Sequence, residues 1–265
     1  DNRDRVTRFR FFQVMAILIA FSILLGLFLL LFARQYLLEQ DHRKELLKQH
    51  FSVHAAQLDN ILLTLTGHVD GMRLLGETTL LQTRQGLVWN QPVEFDDLED
   101  VPGEDRYSLD HPHGILNEEM VGNLTGSGSF RFRSNSFYRE LQMALNLNPL
   151  FRVVAASVRN AAWIYYTSKN KFINIYPWVS SGNFRFSEEL FTHGFYTLGL
   201  PENNPERERF WTEIYIDEYG KGLMTTCAAP IYDEDRFLGT VAIDVTVDFL
   251  NDLMRDFEQE GAVFL

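Results

Sequence analysis

A second cysteine is missing. With Cys227 as the single thiol in 265 residues, no disulfide can close within the chain. Cys227 sits in an apolar, strand-like run, which predicts a buried and inert side chain. Positive charge is also scarce. The chain carries 24 Lys and Arg against 36 Asp and Glu, a formal net charge of −12. The imbalance is local: residues 1–76 hold nine basic and seven acidic side chains, net +2, and the remainder holds 15 and 29, net −14. So acidic a surface repels phosphate backbones and anionic lipid, and no nucleic-acid partner is expected. There is no nucleophile motif, no metal-ligand spacing and no glycine-rich phosphate loop. This region is expected to have no catalytic residues, no metal and no cofactor.

Charge is absent altogether from residues 11 to 33, "FFQVMAILIAFSILLGLFLLLFA". About 20 apolar residues suffice for a helix to cross a bilayer. The run is longer than the ~7–15 residues of a signal-peptide core, and "RQYLLEQ" after it offers no small-residue cleavage site. Arg3, Arg5, Arg8 and Arg10 precede the run and favour a cytoplasmic N-terminus. Arg34, Arg43, Lys44 and Lys48 beyond it reduce that contrast. The expected layout is a cytoplasmic segment 1–10, a transmembrane helix 11–33 and an extracytoplasmic body.

A helical pattern continues over about 36–76. Leu47, Phe51, His54, Leu58, Ile61, Leu65, His68, Met72 and Leu75 step by fours and threes, a coiled-coil-like seam. The pattern contains no Pro, and along the seam Gly occurs only at 67 and 71. This predicts a stalk helix over 34–76 and homodimerisation through it. Ala55, Leu62 and Val69 widen the stripe enough for one face to pack on a domain instead. His54 and His68 read as partly exposed edge residues; fourteen positions apart on one helix, they lie roughly 21 Å from each other and cannot share a metal.

Residues 86–130 read as irregular, rich in Pro, Gly and acids. His111 and His113 beside Asp110 form part of a surface loop with too few ligands for a metal. Asn123-Leu124-Thr125 is a glycosylation pattern that matters only in a eukaryotic secretory pathway. Residues 137–148 predict a helix with Ser136 as its cap. "AAWIYYTSKNKFINIYPW" predicts two strands around a turn. "SEELFTHGFYTLG" predicts a short helix capped by Ser187. "GLMTTCAAPIYDEDRFLGTVAIDVTV" predicts a long hairpin turning at Asp233–Asp235. Asp248 is a candidate cap for a last helix. "GAVFL" at 261–265 reads as the start of a further module, the sequence being the front of a longer protein.

"FWTEIYIDEYGKGL", from Phe210 to Leu223, sets aromatic residues beside acids. In the final strand Thr240, Ala242, Asp244 and Thr246 share one face, while Val241, Ile243, Val245 and Val247 share the other. The first face is small-residued with one carboxylate and suits a small-ligand pocket. The second suits packing against the stalk helix. Asp217 and Asp244 with Trp163, Trp178, Trp211 and Tyr215 favour a cation, such as an amine, through charge-assisted hydrogen bonds and cation–π contact. Glu213 and Glu218 read as solvated. The residues alone also allow Asp244 to be a structural acid paired within the fold.

This order of elements resembles the Cache (PAS-like) extracytoplasmic sensor of bacterial transmembrane signalling receptors, in particular the membrane-distal part of a double Cache domain. The likeness is carried by "AAWIYYTSKNKFINIYPW", "FWTEIYIDEYGKGLMTTCAAPIY" and "RFLGTVAIDVTVDFL". It extends over roughly 36–260, although 77–150 matches nothing recognisable. It implies an α+β fold: a transmembrane helix, a stalk, and a Cache module over 77–260 with a central antiparallel sheet. It also implies a small-molecule ligand, residence in the bacterial inner membrane with the sensor in the periplasm, and a cytoplasmic output domain. A diguanylate cyclase is the expected output; a histidine kinase, a chemoreceptor signalling helix, or a ligand-free structural ectodomain are the alternatives. The implied ligand-binding set is Trp163, Tyr165, Tyr176, Trp178, His193, Phe195, Tyr196, Trp211, Tyr215, Asp217, Thr226 and Asp244. Tyr215 and Asp217 match the family's Tyr-x-Asp, and Asp244 its second aspartate, which contacts a ligand ammonium. His193 stands where amino-acid-binding members carry an arginine for the ligand carboxylate, so α-amino-acid recognition is not expected.

Overall fold

The computed structural model describes residues 2–87, 93–112, 117–158, 160–217 and 219–247. The chain divides into two compact units, Asp1–Gln57 and Leu58–Leu265. One helix, α1 (Asn2–Arg84), contributes to both. In the first unit it is the only element. Its apolar window has a mean hydropathy of 3.0, and Phe11 to Phe32 present their large side chains outward. An isolated helix with such a surface is not stable in water; it needs an apolar surrounding.

The second unit is an antiparallel sheet with the long helices on one face and a 3-10 turn and one short helix on the other. The sheet runs β1 (Glu99–Asp100), β2 (Arg106–Ser108), β3 (Asn123–Ser127), β5 (Phe172–Tyr176), β4 (Ala161–Ser168), β9 (Arg236–Thr246), β8 (Leu223–Asp233) and β6 (Phe210–Trp211), with β7 (Tyr215–Ile216) also on β8. The two expected hairpins are present. β4 and β5 meet around the Lys169–Lys171 turn, and β8 and β9 around Glu234, whose φ of 58° puts it in the left-handed region. The 86–130 segment differs from expectation: it supplies three short strands that extend the sheet. Their acids and glycines hide the alternation that marks a strand. Gly126 is required where Tyr107 crosses β3, since a Cβ there would run into the buried phenol ring.

Alternation in β9 works as its sequence implies. Val241, Ile243 and Val245 join Ile164, Tyr166, Cys227 and Ala229 in a rear core with Leu65, Val69 and Met72 of α1 and with α2 (Asn135–Asn146) and α3 (Asn148–Ser157). Thus the part of the seam from Ile61 to Met72 packs on its own domain. His68 is partly exposed, as expected, and its Nε2 lies 2.9 Å from Ser157 Oγ. The cap of α2 is Ser134, which accepts from Phe137 N, not Ser136; α3 follows with Pro149 in its first turn. Ser187 precedes a 3-10 turn over Glu188–Thr192 and α4 (Gly194–Thr197) without a side-chain capping bond. Buried Glu140 of α2 accepts from Tyr166 Oη at 2.9 Å and from Ser168 and Asn170, tying helix to sheet. Cys227 is fully buried, and burial pushes its thiol up to about 12. His113, Glu218, Asp248, the expected last helix and residues 261–265 lie outside the described residues.

Candidate functional site

The front face of the sheet is set by register. Trp163 pairs with Asp244, Tyr165 with Ala242, and Thr226 with Asp244; Ile175 and Ile173 continue the same face on β5. Directly opposed residues in antiparallel strands project to one side, so these side chains form one floor. Ala228 and Ala242 are small and keep it low. Above it stand α4, the 3-10 turn and the β6–β7 segment. Between floor and cover lies a cavity of about 640 Å³, within the usual range for small-molecule sites.

Asp244 is 5% exposed at one end of this floor. Its Oδ1 accepts from Tyr165 Oη at 2.9 Å and from Thr226 Oγ1 at 2.7 Å. Tyr215 Oη lies 2.9 Å from Thr226 Oγ1. The threonine hydrogen is committed to Asp244, so Tyr215 is the donor and Thr226 relays it. Burial drives the Asp244 carboxyl up to about 7; the Thr226, Tyr165 and Tyr215 hydroxyls pull it down, and Asp217 pushes it further up. Burial first and Asp244 second hold the phenols of Tyr165 and Tyr215 well above their ordinary range, so both stay protonated donors.

Asp217 is also buried and lines the cavity. Its Oδ2 accepts from the Lys221 amide at 2.8 Å, and its own amide donates to Gly222 O at 2.8 Å. This closes a turn in which Gly220 and Gly222 adopt φ of 84° and 89°, a conformation natural only to glycine. One role of Asp217 is therefore to shape the rim.

Of the twelve residues expected from sequence, Trp163, Tyr165, His193, Phe195, Tyr215, Asp217 and Asp244 line the cavity. His193 stacks on Phe195 at 5.4 Å, and Phe195 meets Tyr165 edge-on at 5.2 Å. Thr226 lies beneath and acts on the cavity through Asp244. The other four do not line it. Tyr176 donates to Glu119 O, and Trp178 to Leu109 O. Tyr196 packs between Phe191 and Phe237. Trp211 faces the rear core. Glu213, expected in solvent, is exposed but forms part of the cavity wall.

Sequence reasoning missed Phe184, Arg185, Glu189 and Tyr219, all of which line the cavity. The missed signal is the alternation Phe184-Arg185-Phe186, in which two buried phenylalanines flank an exposed arginine.

Residues 139–252 match the family model of the methyl-accepting chemotaxis protein-like first PDC sensor domain. No curated protein matches the chain. Among solved structures, the ligand-binding domain of the Pseudomonas aeruginosa amino-acid chemoreceptor PctC, in complex with GABA, is similar at 18% identity over 36% of this chain and 42% of that one, with a TM-score of 0.30. That of the Campylobacter jejuni chemoreceptor Tlp3, in complex with L-norvaline, is similar at 14% identity over 76% and 63%, with a TM-score of 0.34. The chain thus spans less than two thirds of either relative. The family match covers the strands and turns that bear Trp163 to Asp244, and over residues 139–252 the chain is similar to a PDC (Cache) sensor domain of the methyl-accepting chemotaxis protein-like type.

Proposed function

We propose that the chain is the sensing part of a bacterial membrane receptor, and that its front pocket binds a small molecule with a cationic, amine-type head. The observation that carries this reading is Asp244. A carboxylate enclosed at the end of an apolar cavity is costly unless paired, and its described partners are hydroxyls rather than a cation. An ammonium seated between Asp244 and Trp163 supplies the missing charge and gains from the aromatic face. Residues 11–33 anchor the chain in the inner membrane, with 1–10 in the cytoplasm and the sensor in the periplasm. Exposed Leu47 and Phe51 support pairing of two copies along 34–57. The signal passes to a cytoplasmic output. The chemotaxis-type family match favours a chemoreceptor signalling helix over the diguanylate cyclase expected from sequence. The relatives' complexes with GABA and norvaline are in keeping with an amine ligand.

Isothermal calorimetry on the full chain in detergent micelles tests this with a panel of primary amines. Binding by wild type, and loss by about ten- to a hundredfold in Asp244→Asn, is expected from one charge-assisted hydrogen bond of about 1.5–3 kcal/mol. Equal affinities in the two proteins would refute it.

A further inference from the structure

We infer that the ligand of this pocket is an elongated zwitterion, with its ammonium at Asp244 and an acid group at Arg185, separated by several times the span of an α-amino acid. The inference rests on the amine-binding reading of Asp244 and adds the second anchor.

Register fixes the spacing. The Phe186 amide donates to Thr125 Oγ1 at 2.8 Å, which holds residues 185–186 above β3. Asp244 is on β9. From β3 through β5 and β4 to β9 is three strand steps, about 14 Å at ~4.8 Å each. Along the strands, Thr125 is level with Ile173, Thr167 and Thr240. Asp244 is four residues beyond Thr240, a further ~13 Å. The backbones are thus roughly 19 Å apart on the diagonal. Turned toward each other, an extended arginine would cover about 7 Å of this and an aspartate about 2.5 Å, on bond-length grounds. On the order of 10 Å remains between the charged ends.

The ground between them is apolar. Tyr165, Ile175 and Ile173 follow one another across the floor from Asp244 toward Arg185, and Phe184 and Val179 wall the same cavity. A chain of methylenes matches this track. A single α-amino acid, with charges about 3 Å apart, touches one end only and leaves most of the 640 Å³ empty.

Arg185 is available for an anion. It is exposed at the cavity lining and makes no ion pair among the described residues. Glu104 is near enough to feel its charge, but both Glu104 oxygens are bound by Arg106. Glu189, an acid on the same wall, is exposed and forms no ion pair with it. Lys would hold an anion as a point charge; Arg offers a planar fork suited to carboxylate.

The test is calorimetry on the full chain in micelles with 4-aminobutyrate, 8-aminooctanoate and 8-amino-1-octanol. The last has the length and the amine but no acid. Wild type is expected to bind 8-aminooctanoate at least tenfold tighter than the other two. Arg185→Gln is expected to reduce 8-aminooctanoate to the level of the amino alcohol and to leave the amino alcohol unchanged. If the acid and the alcohol bind wild type alike, or Arg185→Gln changes neither, the second anchor is wrong. Should both amines still be lost in Asp244→Asn in that case, the amine reading stands without it. Absence of binding by every probe, or binding indifferent to Asp244→Asn, overturns both.

Discussion

Lys221 Nζ stands 5.0 Å from the centre of the Trp163 ring, beside the carboxylate that its own backbone amide helps to hold. The chain's own cation thus covers an aromatic face of the pocket. An exposed cation–π contact is worth about 0.5–1 kcal/mol. A ligand ammonium that needs this face must displace the lysine. Lys221→Gln is therefore expected to raise amine affinity two- to fivefold in calorimetry. A fall in affinity would mean that Lys221 assists binding.

Asp244 makes stability and binding respond to pH in opposite directions. Its folded-state value of about 7 lies above the ordinary carboxylate value of 3.8, so the protonated form is favoured on folding. The stabilisation is fully present below about pH 4 and is lost as pH rises through 7. Tyr165, Tyr215 and Asp217 face the group; only Asp217 can add negative charge. Asp244→Asn is expected to melt above wild type at pH 8, by an amount that shrinks as pH falls and vanishes only below about pH 4. Each pKa unit is worth about 1.4 kcal/mol. Amine affinity in wild type is expected to rise between pH 5.5 and 7.5, because the ionised carboxylate binds the cation. A flat affinity profile with a constant melting difference would remove Asp244 as the titrating group.

The inner face of α1 belongs to the domain core. Met72 is fully buried, whereas Leu63 is 68% exposed. Met72→Ala is expected to destabilise the domain by about 2–5 kcal/mol. Leu63→Ala is expected to stay within about 0.5 kcal/mol of wild type. Chemical denaturation of the two variants checks this. Equal effects would mean that the helix is not packed as described.

The proposed pairing of two copies is expected, on the same grounds, only along the earlier part of the seam. Single cysteines at Leu47 and Phe51, introduced with Cys227→Ala, are expected to crosslink between chains in membranes. One at Leu65, 1% exposed, is not. Efficient crosslinking at Leu65 would require the helix to leave its own sheet.

Much of this fold was legible because period and position agree. The 240–246 alternation sorted β9 correctly into a rear face for α1 and a front face for a cavity, and Asp244 stood out as the one charge among small residues. The seam was legible as a stripe but not as to what covers it: Leu65 and Met72 look the same facing a sheet or a second helix. Tyr196 and Trp211 were aromatic and near the pocket in sequence, yet in the short α4 and β6 segments a shift of one residue changes the face. Arg185 was invisible for the opposite reason. It comes from a loop, and only the Phe186–Thr125 bond across the sheet brings it to the cavity.

Asp244 and its neighbours Ile243 and Val245 project from the same strand to opposite sides. The acid closes the cavity, and the two aliphatics press on the helical layer with Val69 and Met72. The partition between ligand and helix is therefore one backbone thick. A ligand that tugs on the carboxylate by a fraction of an ångström moves a wall that both compartments share, and the close-packed side chains behind it have no slack in which to absorb the displacement. On the proposed ligand reading the strand itself would be the transducer, and information would cross the domain without any rearrangement of its topology.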